Sequence, residues 1–192
     1  FKWDTEKYPG MKDFKKFGPF AYTAKLRNGL FRNTGACLSP QNAFYNSIGM
    51  ETLGLRMERV CDNAKTLAQF FATEYSDIEV NYPGLAGSKW HNIATEQFGD
   101  KFGGIITIRT GNKKRAFGII DALKLPLIVS NIGDTKTLVI HPESTLNVHS
   151  TQEEKETAGV FDDLIRISVG IEDIDDLIDD FKQAIESVKD VY

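Results

Sequence analysis

Residues 163–181 constrain the fold more than any other stretch of the chain. Asp163-Leu164-Ile165-Arg166-Ile167-Ser168-Val169-Gly170-Ile171-Glu172-Asp173 runs into Ile174-Asp175-Asp176-Leu177-Ile178-Asp179-Asp180-Phe181. The spacing predicts a strand, a glycine turn and a helix. Ile165, Ile167 and Val169 alternate onto one strand face, which turns Leu164, Arg166 and Ser168 to the other. A strand fixes the direction of its side chains, and a guanidinium can grip a carboxylate through two parallel hydrogen bonds. The plainer alternative for Arg166 is an ion pair with an acidic neighbour. Gly170 permits the turn. Glu172, Asp173, Asp175 and Asp176 fall in or near the first helical turn, where negative charge suits the helix dipole. Ile174, Leu177, Ile178, Phe181, Ile185 and Val188 then recur as one buried helical stripe.

Upstream, residues 1–20 form an aromatic arm with Trp3, Tyr8, Phe14, Phe17 and Phe20, too short to bury its own rings. Ala21 to Phe31 suits a short helix, ended by Asn33-Thr34-Gly35. Ser39-Pro40 reads as a helix start, with Ser39 as N-cap and Pro40 at the first position. The apolar pattern then runs from Phe44 to Phe71, predicting one unusually long helix, bent at Gly49 or Gly54 and suited to joining two domains.

Ile78 to Tyr82 alternates like a strand stopped by Pro83-Gly84. Trp90 to Phe98 is a weak helix, and Ile105 to Arg109 a strong strand. Lys113 to Leu123 reads as a helix with Phe117, Ile120 and Leu123 inward. Pro126 to Val129 and Thr137 to Ile140 are short strands, and Gln152 to Ala158 a short helix. Strands and helices do not alternate as in a parallel array. The expected class is therefore α+β, a mostly antiparallel sheet with helices on one face.

The 192 residues are enough for one sizeable domain or a small domain plus an arm, and a net charge of −4 argues against a general nucleic-acid binder. No apolar run is long enough to span a bilayer. Cys37 and Cys61 make no disulfide framework, so a reduced, cytoplasmic setting is the default. His91, His141 and His149 lack metal-ligand spacing. The chain begins at Phe1 rather than methionine, which suggests a start part-way through a larger protein.

Five separated stretches resemble, in order, the pyridoxal-phosphate enzymes of cysteine and methionine metabolism. Leu38-Ser39-Pro40 with Glu51-Thr52-Leu53-Gly54-Leu55-Arg56-Met57-Glu58-Arg59 resembles that family's linker helix. Asn81-Tyr82-Pro83-Gly84-Leu85 resembles a family turn, and Gly103-Gly104-Ile105 the strand after its paired glycines. Asn131-Ile132-Gly133-Asp134 with His141-Pro142 and Ser144 resembles a further block. The segment around Arg166 resembles the family's C-terminal signature, whose arginine binds the α-carboxylate of the amino-acid substrate.

What the resemblance implies is specific. Arg166 would clamp the substrate carboxylate, and Asn131 would help orient it. The alternative for Asn131 is a loop residue bonded to its own backbone. His141-Pro142 and Gly133-Asp134 are expected to be turn chemistry, and Arg56 and Arg59 ion pairs. No residue of the chain is expected to be catalytic, to bind the cofactor or to hold a metal. The S-x-T-K lysine that carries pyridoxal 5'-phosphate in the family has no counterpart here, and the aromatic and aspartate that hold the ring would also lie upstream. Phe1-Lys2-Trp3 resembles the segment after the lysine strand.

The chain thus resembles the C-terminal part of a fold-type I enzyme. Residues 1–50 would be the end of the large cofactor domain and the start of the linker helix, and 51–192 the small domain. Asn131 followed by Ile-Gly-Asp is most similar to O-acetylhomoserine sulfhydrylases, which replace acetate by sulfide or a thiol. Cystathionine gamma-synthase and methionine gamma-lyase are the alternatives within the family. A non-catalytic amino-acid-binding or interaction module is the alternative outside it. Partners implied are an amino-acid substrate, the upstream half of the enzyme and further copies in a homotetramer, without nucleic acid or membrane.

Overall fold

The structure, a computed structural model, describes residues 16–188. The aromatic arm up to Phe14 and the Phe1-Lys2-Trp3 match lie outside the described residues. The chain divides into two compact units, residues 1–50 and 51–192.

In the first unit, α1 spans Ala21–Leu26, a wider turn covers Arg27–Phe31, and α2 spans Arg32–Thr34. Gly35 ends them at φ 62°, as the sequence predicts. Helix α3 spans Pro40–Glu51, and the Ser39 hydroxyl accepts from the Asn42 amide at 3.2 Å, the expected N-cap. The single long helix is not observed. Thr52 (φ −105°, ψ 5°) leaves helical geometry, and α4 starts afresh as Leu53–Glu74. The break falls between Gly49 and Gly54 rather than at either, at a residue whose hydroxyl accepts from Arg56 Nε at 3.3 Å. β-Branched threonine with a local hydrogen-bond partner tolerates a non-helical turn.

The second unit is built on a five-stranded sheet. Its strands are β1 (Glu79–Asn81), β2 (Ile105–Arg109), β3 (Leu127–Ile128), β4 (Leu138–Ile140) and β5 (Leu164–Ser168), in the order β1-β2-β5-β4-β3. All neighbours are antiparallel except β3 and β4. Helices α5 (His91–Phe98), α6 (Lys113–Ala122), α7 (Gln152–Thr157) and α8 (Ile174–Ser187) complete it.

Strand alternation divides the sheet cleanly. Ile106, Ile108, Val139, Ile165 and Ile167 share the helix-covered face, and all are fully buried. Against them pack Leu67 and Phe71 of α4, Ala116 and Ile119 of α6, and Leu177, Phe181 and Ile185 of α8. Phe71 and Phe181 meet edge to face at 5.2 Å. Burial of each such side chain contributes about 1.5–3 kcal/mol, so this face holds the unit together. The α8 stripe is as expected. The α6 stripe differs at one position: Ile120 is buried and Leu123 packs on the core as expected, but Phe117 is 37% exposed, and Ala116 and Ile119 face inward. Phe117 lies against the His141 ring, at 4.6 Å.

The opposite sheet face carries Thr107, Arg109, Leu164, Arg166 and Ser168. Arg166 sits at its centre, paired in register with Thr107 on β2 and Ile140 on β4. β5 is thus the middle strand of the sheet, the most rigid place a side chain can project from.

Gly170 follows β5 for a reason other than a left-handed turn. A Cβ there would lie 2.5 Å from the Thr135 carbonyl oxygen and 2.6 Å from the Lys136 carbonyl carbon. The backbone of the β3–β4 loop passes too close for any side chain. Glu172 is likewise not in the helix. Asp173 is the N-cap of α8, accepting from the Asp175 amide at 3.0 Å. Glu172 instead turns back and accepts from both the amide and the hydroxyl of Thr137.

Candidate functional site

Two arginines project from the same sheet face, and their surroundings differ. Arg109, on β2, is paired with carboxylates. Its Nε donates to Asp163 Oδ1 at 2.9 Å, its Nη1 lies 3.6 Å from Glu79, and its guanidinium stacks 4.0 Å from the Phe161 ring centroid. Asp163 also accepts from the Gly111 amide at 3.0 Å. The hydrogen bond that Arg109 donates to Asp163 raises the Arg109 pKa above its ordinary value. This is an ion pair that ties β2 to the start of β5.

Arg166 has no such partner. Its Nη2 donates to the Asn131 carbonyl oxygen at 3.1 Å. Its Nε is buried with no hydrogen-bond partner, and no carboxylate among the described residues pairs with it. Burial alone pulls its pKa below the ordinary arginine value. The guanidinium nonetheless stays cationic near neutral pH. A cation partly removed from water without an anion is under electrostatic demand, and an incoming carboxylate relieves it. Among the described residues an ion pair is thus seen for Arg109 and not for Arg166.

Asn131 lies in the loop between β3 and β4, beside Arg166. Its side-chain Oδ1 accepts from the Ile132 amide at 2.9 Å, the local turn bond considered for it from sequence. What it gives Arg166 is its backbone oxygen. Its Nδ2 hydrogens have no partner among the described residues and remain available as donors. The loop is thus both a local turn and a neighbour of the guanidinium.

Around this pair, Asn81 Nδ2 donates to Thr107 Oγ1 at 3.2 Å, directly across β2 from Arg166. An open hollow of about 820 Å³ adjoins on the same face, lined by Asn81, Thr107, Arg109, Trp90 and Phe161 among others. His141, as expected, is turn chemistry: buried, it bonds the Ser144 hydroxyl and the Asp162 carbonyl oxygen, each at 2.8 Å. The Asp134 carboxylate accepts from the Lys136 amide at 3.0 Å within its own loop. Arg59 reaches the Glu172 carbonyl oxygen at 3.3 Å and Asp173 at 3.9 Å.

Sequence reasoning missed three residues that fix this loop. Ser168, Glu172 and Asn63 each hold backbone near Gly170 or Gly133; buried Asn63 donates to the Gly170 and Glu172 carbonyl oxygens at 3.1 and 2.9 Å. Polarity at 2% exposure was the one signal for Asn63, and it is invisible before the fold is known.

Three of the described lysines are held in ion pairs. Lys101 is paired with Asp62 at 2.7 Å, and Lys113 and Lys155 with Glu143 at 2.8 and 2.6 Å. Among the described residues no group of three His, Cys, Asp or Glu side chains could hold a metal ion, and no helix is long and apolar enough to cross a membrane. Cys37 and Cys61 are free thiols.

The chain is similar to known proteins over most of its length. O-acetyl-L-homoserine sulfhydrylase of Corynebacterium glutamicum is 39% identical over 183 residues, covering 94% of this chain and 41% of that protein. L-methionine gamma-lyase of Fusobacterium nucleatum is 40% identical over 161 residues, covering 83% of this chain and 40% of that protein. A Campylobacter jejuni structure containing N'-pyridoxyl-lysine-5'-monophosphate superposes with a TM-score of 0.79 at 37% identity, covering 95% of this chain and 43% of that one. The chain spans about two fifths of the length of the curated relatives it matches. The family described as Cys/Met metabolism PLP-dependent enzymes matches residues 12–186, and the chain belongs to that family.

Proposed function

We propose that the chain is the C-terminal portion of a pyridoxal-phosphate-dependent O-acetylhomoserine sulfhydrylase, and that its part is to hold the α-carboxylate of the amino-acid substrate. Residues 1–50 would then close the large cofactor domain and 51–192 form the small domain. The observation that carries this is Arg166: a guanidinium on the central strand, facing away from the core, with a buried Nε lacking a partner. The relatives' printed activities support it, as does the Asn131-Ile132-Gly133-Asp134 block.

In such an enzyme the cofactor withdraws electrons from the substrate α-carbon. This chain's residues bind and orient. Arg166 fixes the carboxylate, and Asn131 Nδ2 adds a donor at the same loop. Holding the carboxylate fixes the direction of the α C–H bond, and positioning of this kind is worth several kcal/mol of a barrier. The cofactor is assigned to residues outside this chain. Assembly with that upstream half and with further copies of itself, as a homotetramer in the cytoplasm, belongs to the same proposal.

The methionine gamma-lyase relative supports a second reading, elimination rather than replacement. The test is to supply the complete protein and its cofactor with O-acetylhomoserine and sulfide, and separately with methionine. Homocysteine formation in the first arm with little 2-oxobutanoate in the second supports the sulfhydrylase. The reverse supports the lyase.

A further inference from the structure

Arg166 is steered by a loop, and that loop is fastened to the strand that carries Arg166. The β3–β4 loop presents the Asn131 carbonyl oxygen to Arg166 Nη2 at 3.1 Å. Two residues on, the Gly133 amide donates to the Ser168 hydroxyl at 3.2 Å. Ser168 is two residues beyond Arg166 on β5, so strand alternation puts both on one face. A closed circuit results: Arg166 to Ser168 along the strand, across to Gly133, back along the loop to Asn131, and across to Arg166.

Each part of the circuit has a physical reason. Gly133 takes φ +79°, a left-handed conformation that aims its amide at the strand. Ser168 is 3% exposed, so its hydroxyl is not shared with solvent. The loop's far end is fastened as well. The Ile171 amide donates to the Thr135 carbonyl oxygen and the Gly170 amide to Thr137 Oγ1, each at 2.9 Å. Thr137 in turn donates to the Glu172 carboxylate from its amide and its hydroxyl. On the Asn131 side, the bond from Gly133 to Ser168 is what fastens the loop to β5. An alanine at 168 leaves the Gly133 amide without its acceptor and frees the carbonyl oxygen that holds Nη2.

The geometry points to Ser168 as a positioning residue for the carboxylate clamp: through Gly133 and Asn131 it sets the plane of the Arg166 guanidinium. This rests on Arg166 being that clamp. Ser168 touches no substrate in this scheme. Its hydroxyl lies on the sheet face opposite Ile165 and Ile167, outside the packed core.

The experiment compares Ser168→Ala, Ser168→Thr and Arg166→Ala in the complete protein with its cofactor, using the amino-acid substrate and the matching amine without the α-carboxylate as a competitive inhibitor. Ser168→Ala is expected to raise KM for the amino acid about 5-fold, the equivalent of one neutral hydrogen bond, with kcat nearly unchanged and amine inhibition unchanged. Ser168→Thr, which keeps the hydroxyl, restores KM. Independently of turnover, the Gly133 amide exchanges its hydrogen faster in Ser168→Ala, and the Arg166 Nε–H resonance shifts or broadens. Equal weakening of both ligands, or unchanged KM despite a freed Gly133 amide, overturns the role of Ser168. If Arg166→Ala separates the two ligands and Ser168→Ala does not, the clamp stands and its positioning by Ser168 falls. If Arg166→Ala also fails to separate them, the clamp itself is wrong and the inference goes with it.

Discussion

Arg166 Nη2 and the Asn131 carbonyl oxygen lie 3.1 Å apart, while the Asn131 side chain turns back to the Ile132 amide. Backbone and side chain of Asn131 therefore do different things. Asn131→Ala keeps the carbonyl oxygen and loses the turn bond and the Nδ2 donor. We expect KM for the amino acid to rise by the equivalent of about 1 kcal/mol, well short of the loss on removing Arg166. Steady-state kinetics on the two variants checks the ranking, and a loss at Asn131 equal to that at Arg166 contradicts it.

Gly170→Ala is expected to destabilise the second unit. The added Cβ meets the backbone of Thr135 and Lys136, which cannot rotate away as a side-chain tip can. Overpacking of this kind costs about 1–3 kcal/mol. Urea unfolding measures it, and a neutral result would mean that the β3–β4 loop is not held where it lies.

Glu143 gives a pH-dependent contribution. Hydrogen bonds from Lys113 and Lys155 lower its pKa from 4.5 to about 2. A carboxylate with a depressed folded-state pKa stabilises above its unfolded value and loses that stability as pH falls toward the folded one. Glu143→Gln should thus cost about 1–2 kcal/mol at neutral pH. The gap to the wild type should close between about pH 4.5 and 2. Thermal unfolding of both proteins across that range is the check, and a gap that persists at pH 2 would remove the ion pairs as its cause.

Mixing the 192-residue chain with pyridoxal phosphate and reducing with borohydride should label no single lysine stoichiometrically. The Asp62 hydrogen bond raises the Lys101 pKa and keeps it an ammonium, and Lys113 and Lys155 are tied to Glu143. An ammonium is no nucleophile. Peptide mapping with one fully labelled site would show that the chain holds the cofactor itself.

The local elements were legible in the sequence because their periods are local. Alternation at Ile165, Ile167 and Val169 located β5, and the stripe from Ile174 to Val188 located α8. Arg166 was legible as an outward strand residue for the same reason. What required the structure is non-local. That β5 lies between β2 and β4, with Thr107 and Ile140 flanking Arg166, follows from pairings that no window of residues contains. Glu172 resembled a helix-dipole acid from its neighbours, and its bond to Thr137 depends on a loop 35 residues away. Phe117 fitted a helical stripe, but small Ala116 is what the close approach to the sheet admits. Thr52 broke the long helix between two glycines that looked more yielding.

The central claim is that Arg166 binds the substrate carboxylate, and one comparison tests it most directly. Arg166→Ala and Arg166→Lys are measured in the complete, cofactor-loaded protein against the amino-acid substrate and against an analogue lacking the α-carboxylate. The predicted loss for alanine with the amino acid is about 2–5 kcal/mol, as for removing one partner of a desolvated charge pair. Lysine restores it only in part, because a point charge replaces the fork. The carboxylate-free analogue loses little. An equal loss with both ligands would contradict the account and leave Arg166 a structural residue.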